Sequence, residues 1–212
     1  MTIARYQEER KKMKHTFSRS ISRLALILLF IFNFGANAAV EVPFDPELLN
    51  SHQVDAEESS YLGSAALRLK HQYKDGYVRI EGLDFANGEI KVDVAATIDP
   101  NLLPEFKEFA RGFIGIAFRI QNDPGVYENI YVRPDNARGE DQLRRNHTTQ
   151  YASMPEYTWK RLRDDSPGKY ESYVDLTLNT WIRMRLVVED EKVRLFIGDD
   201  TQPCLVVNDM RL

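Results

Sequence analysis

From residue 65 to residue 212, apolar and polar side chains alternate with a period of two in one short segment after another. Segment 182–188, I-R-M-R-L-V-V, shows the pattern most clearly. Alternate residues of a β-strand point to opposite faces, so each segment predicts a strand with one buried face. Turn sequences separate the segments, among them Ala-Asn-Gly at 86–88 and Asn-Asp-Pro-Gly at 122–125. Many short strands punctuated by turns predict an antiparallel all-β sandwich or barrel.

The predicted strands cover 65–70, 78–81, 90–94, 112–120, 127–133, 170–176, 180–189, 192–197 and 204–207, and a short helix is predicted at 106–110. Gly115 and Ala117 share one face of strand 112–120. Small residues there allow either a ligand or a neighbouring backbone to approach closely. Residues 39–64 contain prolines and several acids, and they predict an extended lead-in with a short turn at 47–50.

Residues 1–38 have the organisation of a secretory signal peptide. A basic stretch at 11–14 precedes an apolar segment at 24–34, and Ala36-Asn37-Ala38 matches the small-x-small cleavage rule. The apolar segment is short for a membrane-spanning helix, which needs about 20 apolar residues. We predict export to the periplasm or the cell exterior, without stable membrane insertion after cleavage. An uncleaved anchor is the alternative, and Met13 is a second candidate start.

Charge and cysteine content restrict the partners. The chain has 28 Lys and Arg against 32 Asp and Glu; residues 1–38 hold seven and two of these, which leaves 21 against 30 and a net charge of −9 in residues 39–212. This balance disfavours nucleic acid as a partner.

Residues 39–212 suit one domain with a substantial core. Cys204 is the sole cysteine, so we expect a small buried side chain there, with a reactive thiol as the alternative.

Residues 133–151 form the densest polar run of the chain, R-P-D-N-A-R-G-E-D-Q-L-R-R-N-H-T-T-Q-Y. Arg, Asn, Asp, His and Tyr occur together there without an apolar period, and aromatic residues flank the run. Planar polar groups beside aromatic rings suit a sugar, because its hydroxyl groups need hydrogen-bond partners and its ring needs an apolar platform. His147 is a candidate for proton transfer, with an exposed loop histidine as the alternative.

Four segments resemble the concanavalin A-like lectin/glucanase superfamily: G-F-I-G-I-A-F-R-I at 112–120, Y-E-N-I-Y-V-R-P at 127–134, R-R-N-H-T-T-Q-Y at 144–151 and W-I-R-M-R-L-V-V-E-D-E-K-V-R-L-F-I at 181–197. They look most like exported bacterial laminin G-like domains related to 3-keto-disaccharide hydrolase-type domains. The resemblance covers 65–212 and implies a two-sheet jelly-roll sandwich that holds carbohydrate on its concave sheet and edge loops. It also implies further strands after 208–212, whose lack would leave an exposed edge.

The resulting hypothesis is a carbohydrate-binding domain with its site on the concave sheet and the 133–151 loop. Its candidate ligand-binding residues are Arg119, Tyr131 and Arg133 as the floor, Asn136, Arg144, Arg145 and His147 as hydrogen-bond donors and acceptors, and Tyr151 or Trp159 as the stacking ring. A non-catalytic laminin G-like module with a protein partner is an alternative.

A glycoside hydrolase-like enzyme acting on a modified disaccharide is a further alternative, with His147 or Glu171 as the proton-transfer group. The glucanases of the superfamily carry E-x-D-x-x-E on one strand, whereas residues 89–93 read E-I-K-V-D. Glu89 and Asp93 would lie roughly 13 Å apart along a strand, beyond the about 5–9.5 Å of a glycosidase pair. A solvated strand face is therefore the better interpretation of this segment.

No cofactor is expected from the sequence. His147 has no second histidine at ligand spacing, so a zinc-type site is not predicted. Calcium on Asp135, Asn136 or Asp141 is the remaining metal hypothesis.

Overall fold

The computed structural model describes residues 2–5, 42, 45–70 and 75–212. Within these ranges the chain forms thirteen β-strands, four short α-helices and one 3-10 turn. In chain order they are β1 (Thr2–Arg5), the 3-10 turn (Pro46–Leu48), β2 (Leu49–His52), β3 (Asp55–Tyr61), β4 (Ser64–Lys70), β5 (Tyr77–Ile80), β6 (Gly88–Ala96), α1 (Pro104–Lys107), β7 (Ile114–Phe118), β8 (Tyr127–Val132), α2 (Pro134–Ala137), α3 (Gln142–Asn146), β9 (Thr149–Met154), α4 (Trp159–Asp165), β10 (Glu171–Ser172), β11 (Ile182–Glu189), β12 (Lys192–Ile197) and β13 (Leu205–Val207).

Seven strands form a large antiparallel sheet in the order β13-β12-β11-β6-β1-β4-β3. In β11, Met184 lies opposite Val92 of β6 on one side and Ile197 of β12 on the other. Ile182 and Met184 are buried, whereas Arg183 between them is exposed. The period-two pattern of this segment therefore predicted both its strand and its buried face correctly.

Four strands form a small antiparallel sheet in the order β10-β9-β8-β7, and β2 pairs with β5 in a separate two-stranded sheet. Ile130 and Val132 of β8 belong to the same buried cluster as Val94 and Leu186 of the large sheet. The main core thus lies between the large and the small sheet. The predicted antiparallel all-β architecture is confirmed, and the packing of its sheets is compatible with a sandwich.

A row of paired residues crosses all the strands of the small sheet on the face that points away from the core. Gly115 pairs with Tyr131, Tyr131 with Gln150, and Gln150 with Glu171. A Cβ atom at position 115 would lie 2.5 Å from the Cβ atom of Tyr131. Of the two interpretations of the small residues on this strand, close contact within the sheet therefore accounts for Gly115.

The prediction for residues 39–64 differs from the structure, and most of the predicted signal peptide at 1–38 lies outside the described residues. Residues 39–64 were predicted to be an extended lead-in, but 49–52 form β2 and 55–61 form β3, which pairs with β4 along its length. The sequence of β3, D-A-E-E-S-S-Y, has no apolar face that could have revealed it. Of the predicted signal peptide, only Thr2–Arg5 is described; it forms β1, between β4 and β6.

The polar run at 133–151 was predicted to be a loop, and this is wrong. It contains α2, α3 and the first residues of β9. Pro134 occupies the first turn of α2, where its missing N–H is not needed. The side chain of Asp141 accepts the N–H of Arg144 at 2.7 Å and so caps α3. The predicted strand at 170–176 is also shorter, since only Glu171–Ser172 pair as β10.

The strand face at 89–93 matches its prediction in part. Glu89 and Lys91 are exposed and form an ion pair, but Asp93 is only 8% exposed and accepts a hydrogen bond from Arg183 at 3.1 Å. In the part of the chain that the structure covers, no helix has the length and apolar character needed to cross a membrane.

Candidate ligand-binding cleft

The carboxylate of Glu171 lies at the end of the cross-strand row and is buried against two arginines. Arg163 of α4 donates from Nε to Oε2 at 3.0 Å and from Nη2 to Oε1. Arg133 Nη1 lies 3.6 Å from Oε1, and the two side chains of this second pair are only 6% and 3% exposed. Because both oxygens accept hydrogen bonds from one guanidinium, the Glu171 side chain is held in a fixed orientation.

Arg133 follows β8 and forms hydrogen bonds to residues of β8 and β9 and to His147, which precedes β9. It donates to the backbone carbonyl of His147 at 2.7 Å, to Oε1 of Gln150 at 2.9 Å and to the hydroxyl of Tyr131 at 3.1 Å. These acceptors are neutral, so the charge of Arg133 is balanced by Glu171. With 5% of its surface exposed, Arg133 supports the site from beneath instead of presenting its guanidinium to a ligand.

His147 follows α3 as its C-terminal cap. Its backbone carbonyl accepts hydrogen bonds from Arg133 and, at 3.1 Å, from Asn136 Nδ2. Its side-chain Nε2 lies 3.4 Å from Glu171 Oε2. Burial lowers the pKa of His147 below its ordinary value; Glu171 opposes this shift, and Arg163 and Arg133 add to it. The imidazole is therefore neutral at neutral pH.

A cleft of about 450 Å³ opens above this cluster, between α3, the segment after α4, and β10. Its walls combine polar side chains, two apolar side chains and one tyrosine ring: Leu143, Asn146, His147, Arg163, Pro167, Gly168, Glu171, Ser172 and Tyr173. Leu143 is 66% exposed and Tyr173 39% exposed, so an apolar surface is available to a ligand on two sides. The volume is in the range of small-molecule sites.

Among the predicted ligand-binding residues of the polar run, all except Tyr151 lie in or around this cleft. His147 lines it. Arg145 donates to the hydroxyl of Tyr173 at 3.1 Å, and its guanidinium lies 4.9 Å from the centre of that ring. Asn136 and Arg144 form a supporting layer, in which Arg144 Nε donates to Asn136 Oδ1 at 3.1 Å. Tyr131 lies beneath the site next to Arg133.

Three other candidates have different surroundings. Arg119 donates to the backbone carbonyls of Ala86 at 2.9 Å and Asp190 at 2.6 Å, which do not line the cleft. Tyr151 has no exposed surface and belongs to the core, so it cannot stack on a ligand. Trp159 is 46% exposed and lies beside the site, since the guanidinium of Arg163 is 4.8 Å from its ring.

Sequence reasoning missed Arg163, Asn146 and Leu143 as cleft residues. Arg163 belongs to α4, which was not predicted. The available signal was Thr158, a preferred N-cap residue whose side chain accepts the N–H of Arg161 at 3.4 Å. The segment after it is mostly charged, with Leu162 as its one buried residue, and so it lacks a strong apolar period.

The proposed calcium ligands make other contacts in this structure. Asp135 pairs with Arg144, Asn136 bonds to Arg144 and to the carbonyl of His147, and Asp141 caps α3. No group of three or more His, Cys, Asp or Glu side chains suited to a metal ion occurs in the residues that the structure describes.

No family model, no curated protein and no solved structure matches this chain. The resemblance to the concanavalin A-like superfamily stays a prediction from its four sequence segments.

Proposed function

We propose that this chain is an exported carbohydrate-binding domain of jelly-roll type, and that its ligand binds in the cleft between α3, α4 and β10. The observation that carries the proposal is the composition of the cleft wall. The exposed ring of Tyr173 lies beside the planar polar groups of Asn146, His147 and Arg163. Such a wall offers an apolar platform for a sugar ring and directional partners for its hydroxyl groups.

The geometry favours binding over hydrolysis. Glu171 is the one acidic residue among those that line the cleft, and both its oxygens accept from Arg163. Glycosidases use two carboxyl groups about 5–9.5 Å apart, one of which must be protonated to act as the acid. The two bonds to one guanidinium fix the orientation of Glu171, so this side chain is suited to orienting its neighbours.

A thermal-shift and calorimetric screen of the chain against mono- and oligosaccharides tests this proposal. A sugar that binds only the folded chain raises its melting temperature, because binding adds RT ln(1 + [L]/Kd) to its stability. In Tyr173→Ala the shift should disappear. Phe109→Ala, which removes an aromatic ring that is 70% exposed and does not line the cleft, should retain it. The proposal fails if no sugar shifts the wild-type melt, or if Tyr173→Ala responds as the wild type does.

One observation favours an enzyme as the second candidate. The neutral imidazole of His147 lies 3.4 Å from a fixed carboxylate, which is how general bases are oriented in many active sites. Turnover of the same sugars, followed by chromatography of the products, tests this candidate. Product formation that is lost in His147→Gln while sugar binding remains would establish it, and binding without products from any sugar would exclude it.

A further inference from the structure

The charges around the cleft do not balance. Arg133 and Arg163 both contact the single carboxylate of Glu171, so one positive charge remains. The acids that follow Arg163 on α4 do not reduce it, since Asp164 pairs with Lys160 and Asp165 with Arg161. Burial is the main cause that lowers the pKa of His147; Glu171 and Asp141 oppose this shift, and Arg163 and Arg133 add to it.

Arg145 adds a second positive charge next to Tyr173, which lines the cleft. Its guanidinium contacts the ring and hydroxyl of Tyr173. In the described parts of the chain, no carboxylate lies within 4 Å of Arg145. Its Nε is buried and has no hydrogen-bond partner among the same residues. In the hydrogen bonds among these residues Arg145 uses only Nη2, so its Nη1 is the donor that remains for a ligand.

Arg163 also retains donor capacity. It uses Nε and Nη2 for Glu171, and its third nitrogen, Nη1, takes no part in that pair. Arg163 in the cleft wall and Arg145 next to Tyr173 each keep an Nη1 outside these bonds. A guanidinium with a free donor suits a planar anion such as a carboxylate.

We infer that the sugar bound in this cleft carries a carboxylate, as in a uronic acid, and that this carboxylate lies against Arg145 and Arg163 while the sugar ring lies on Tyr173. This inference rests on the proposed carbohydrate-binding function. It accounts for the excess positive charge, which neutral hydroxyl groups would leave uncompensated.

Isothermal titration with three matched ligands tests the inference: a galacturonic acid trisaccharide, its fully methyl-esterified form, and neutral galactotriose. The acid should bind about tenfold or more tightly than the ester, because esterification removes the charge and retains the ring. Its affinity should also fall between 50 and 500 mM NaCl, whereas binding of the ester should not.

Arg145→Gln should bring the affinity for the acid to within about twofold of that for the ester. Arg194→Gln is the matched control, because it removes the same charge from an exposed pair with Glu189 and should leave the ratio of acid to ester unchanged. Arg145→Lys retains the charge but not the planar fork, so an intermediate ratio is expected. If Arg145→Gln does not fold, the comparison of acid and ester in the wild type decides alone.

The outcomes separate the two proposals. Equal binding of acid and ester overturns the carboxylate inference and leaves carbohydrate binding intact. Binding of a sulfated galactotriose without binding of the uronic acid overturns it in favour of a sulfate ester. If none of these sugars and no member of the wider panel binds, both proposals fall.

Discussion

Glu128 and Arg211 are 83 positions apart in the chain, yet the Glu128 carboxylate accepts the backbone N–H of Arg211 at 2.8 Å. The same oxygen accepts the N–H of Leu212 at 2.7 Å. Glu128 has no exposed surface, so a buried side chain of β8 holds the amides of residues 211 and 212; the Arg211 N–H also lies 3.2 Å from the hydroxyl of Tyr151.

Replacement of Glu128 by Ala should therefore lower the free energy of unfolding by about 1–3 kcal/mol, since it removes the acceptor of the Leu212 N–H and the nearer of the two acceptors of the Arg211 N–H. Glu128→Gln keeps an acceptor oxygen and should lose less. Urea denaturation provides the measurement. Glu156→Ala, at an exposed glutamate (74%), should change the stability by less than about 0.5 kcal/mol. Equal stabilities of the Ala variant and the wild type would show that these bonds contribute nothing.

Gly115→Ala should destabilise the fold by about 1–3 kcal/mol, because the new Cβ would meet the carbonyl oxygen of Ile130 at 2.3 Å and force β7 away from β8. Gly125→Ala is the milder comparison, since its nearest neighbour is the flexible side chain of Asp123 at 3.3 Å. Thermal unfolding of both variants tests this order. A Gly115→Ala protein as stable as the Gly125→Ala protein would contradict the close approach of the two strands.

The stability of the chain should depend on His147 between about pH 5 and 7. The pKa of His147 is lowered from its ordinary value of 6.5, mainly by burial. Below about pH 6.5 the unfolded chain binds a proton at His147 more readily than the folded chain, so the contribution of this residue is full well above pH 6.5 and declines as the pH falls through that value. The difference in unfolding free energy between the wild type and His147→Asn should thus be larger at pH 7.5 than at pH 5. A constant difference would refute this dependence.

Cys204 should react slowly with thiol reagents in the folded chain. Burial raises its pKa to about 12, so at pH 8 about one molecule in 10⁴ carries the thiolate, compared with about a quarter for an ordinary thiol. Modification by Ellman's reagent should be about 10³-fold slower than in 6 M guanidinium chloride. Thr201→Cys, at an exposed position, supplies a fast-reacting reference. Equal native rates at both positions would show that Cys204 is accessible.

The sequence predicted the strands that have one face in the core and the other in solvent. β11 and β12 were found because buried and exposed residues alternate along them. β3 was missed because both of its faces are polar, and its pairing with β4 follows from tertiary context. The polar run was assigned to a loop because its two helices have four and five residues, too few for an apolar period to appear.

The sequence predicted individual residues of the candidate site, but it did not predict which of them lie next to each other in the fold. His147 and Glu171 were each singled out as proton-transfer candidates, and they prove to be neighbours. Their proximity depends on the pairing of Gln150 with Glu171 between β9 and β10, a non-local register that no local pattern encodes. For the same reason Tyr151, one position from Gln150, faces the core and not the ligand.

The position of β1 in the large sheet has a consequence for how the sheet opens. Among the described strands, β4 pairs with β1 and β3 only, so the backbone pairing that joins the β3–β4 hairpin to β6 runs through the four residues Thr2–Arg5. Cleavage after Ala38 would remove these residues together with the predicted signal peptide. The unprocessed and the processed chain would then differ in cooperativity: in the first, the amides of β4 and β6 are protected from hydrogen exchange together, and in the second the hairpin becomes a separate unit that exchanges independently of the core.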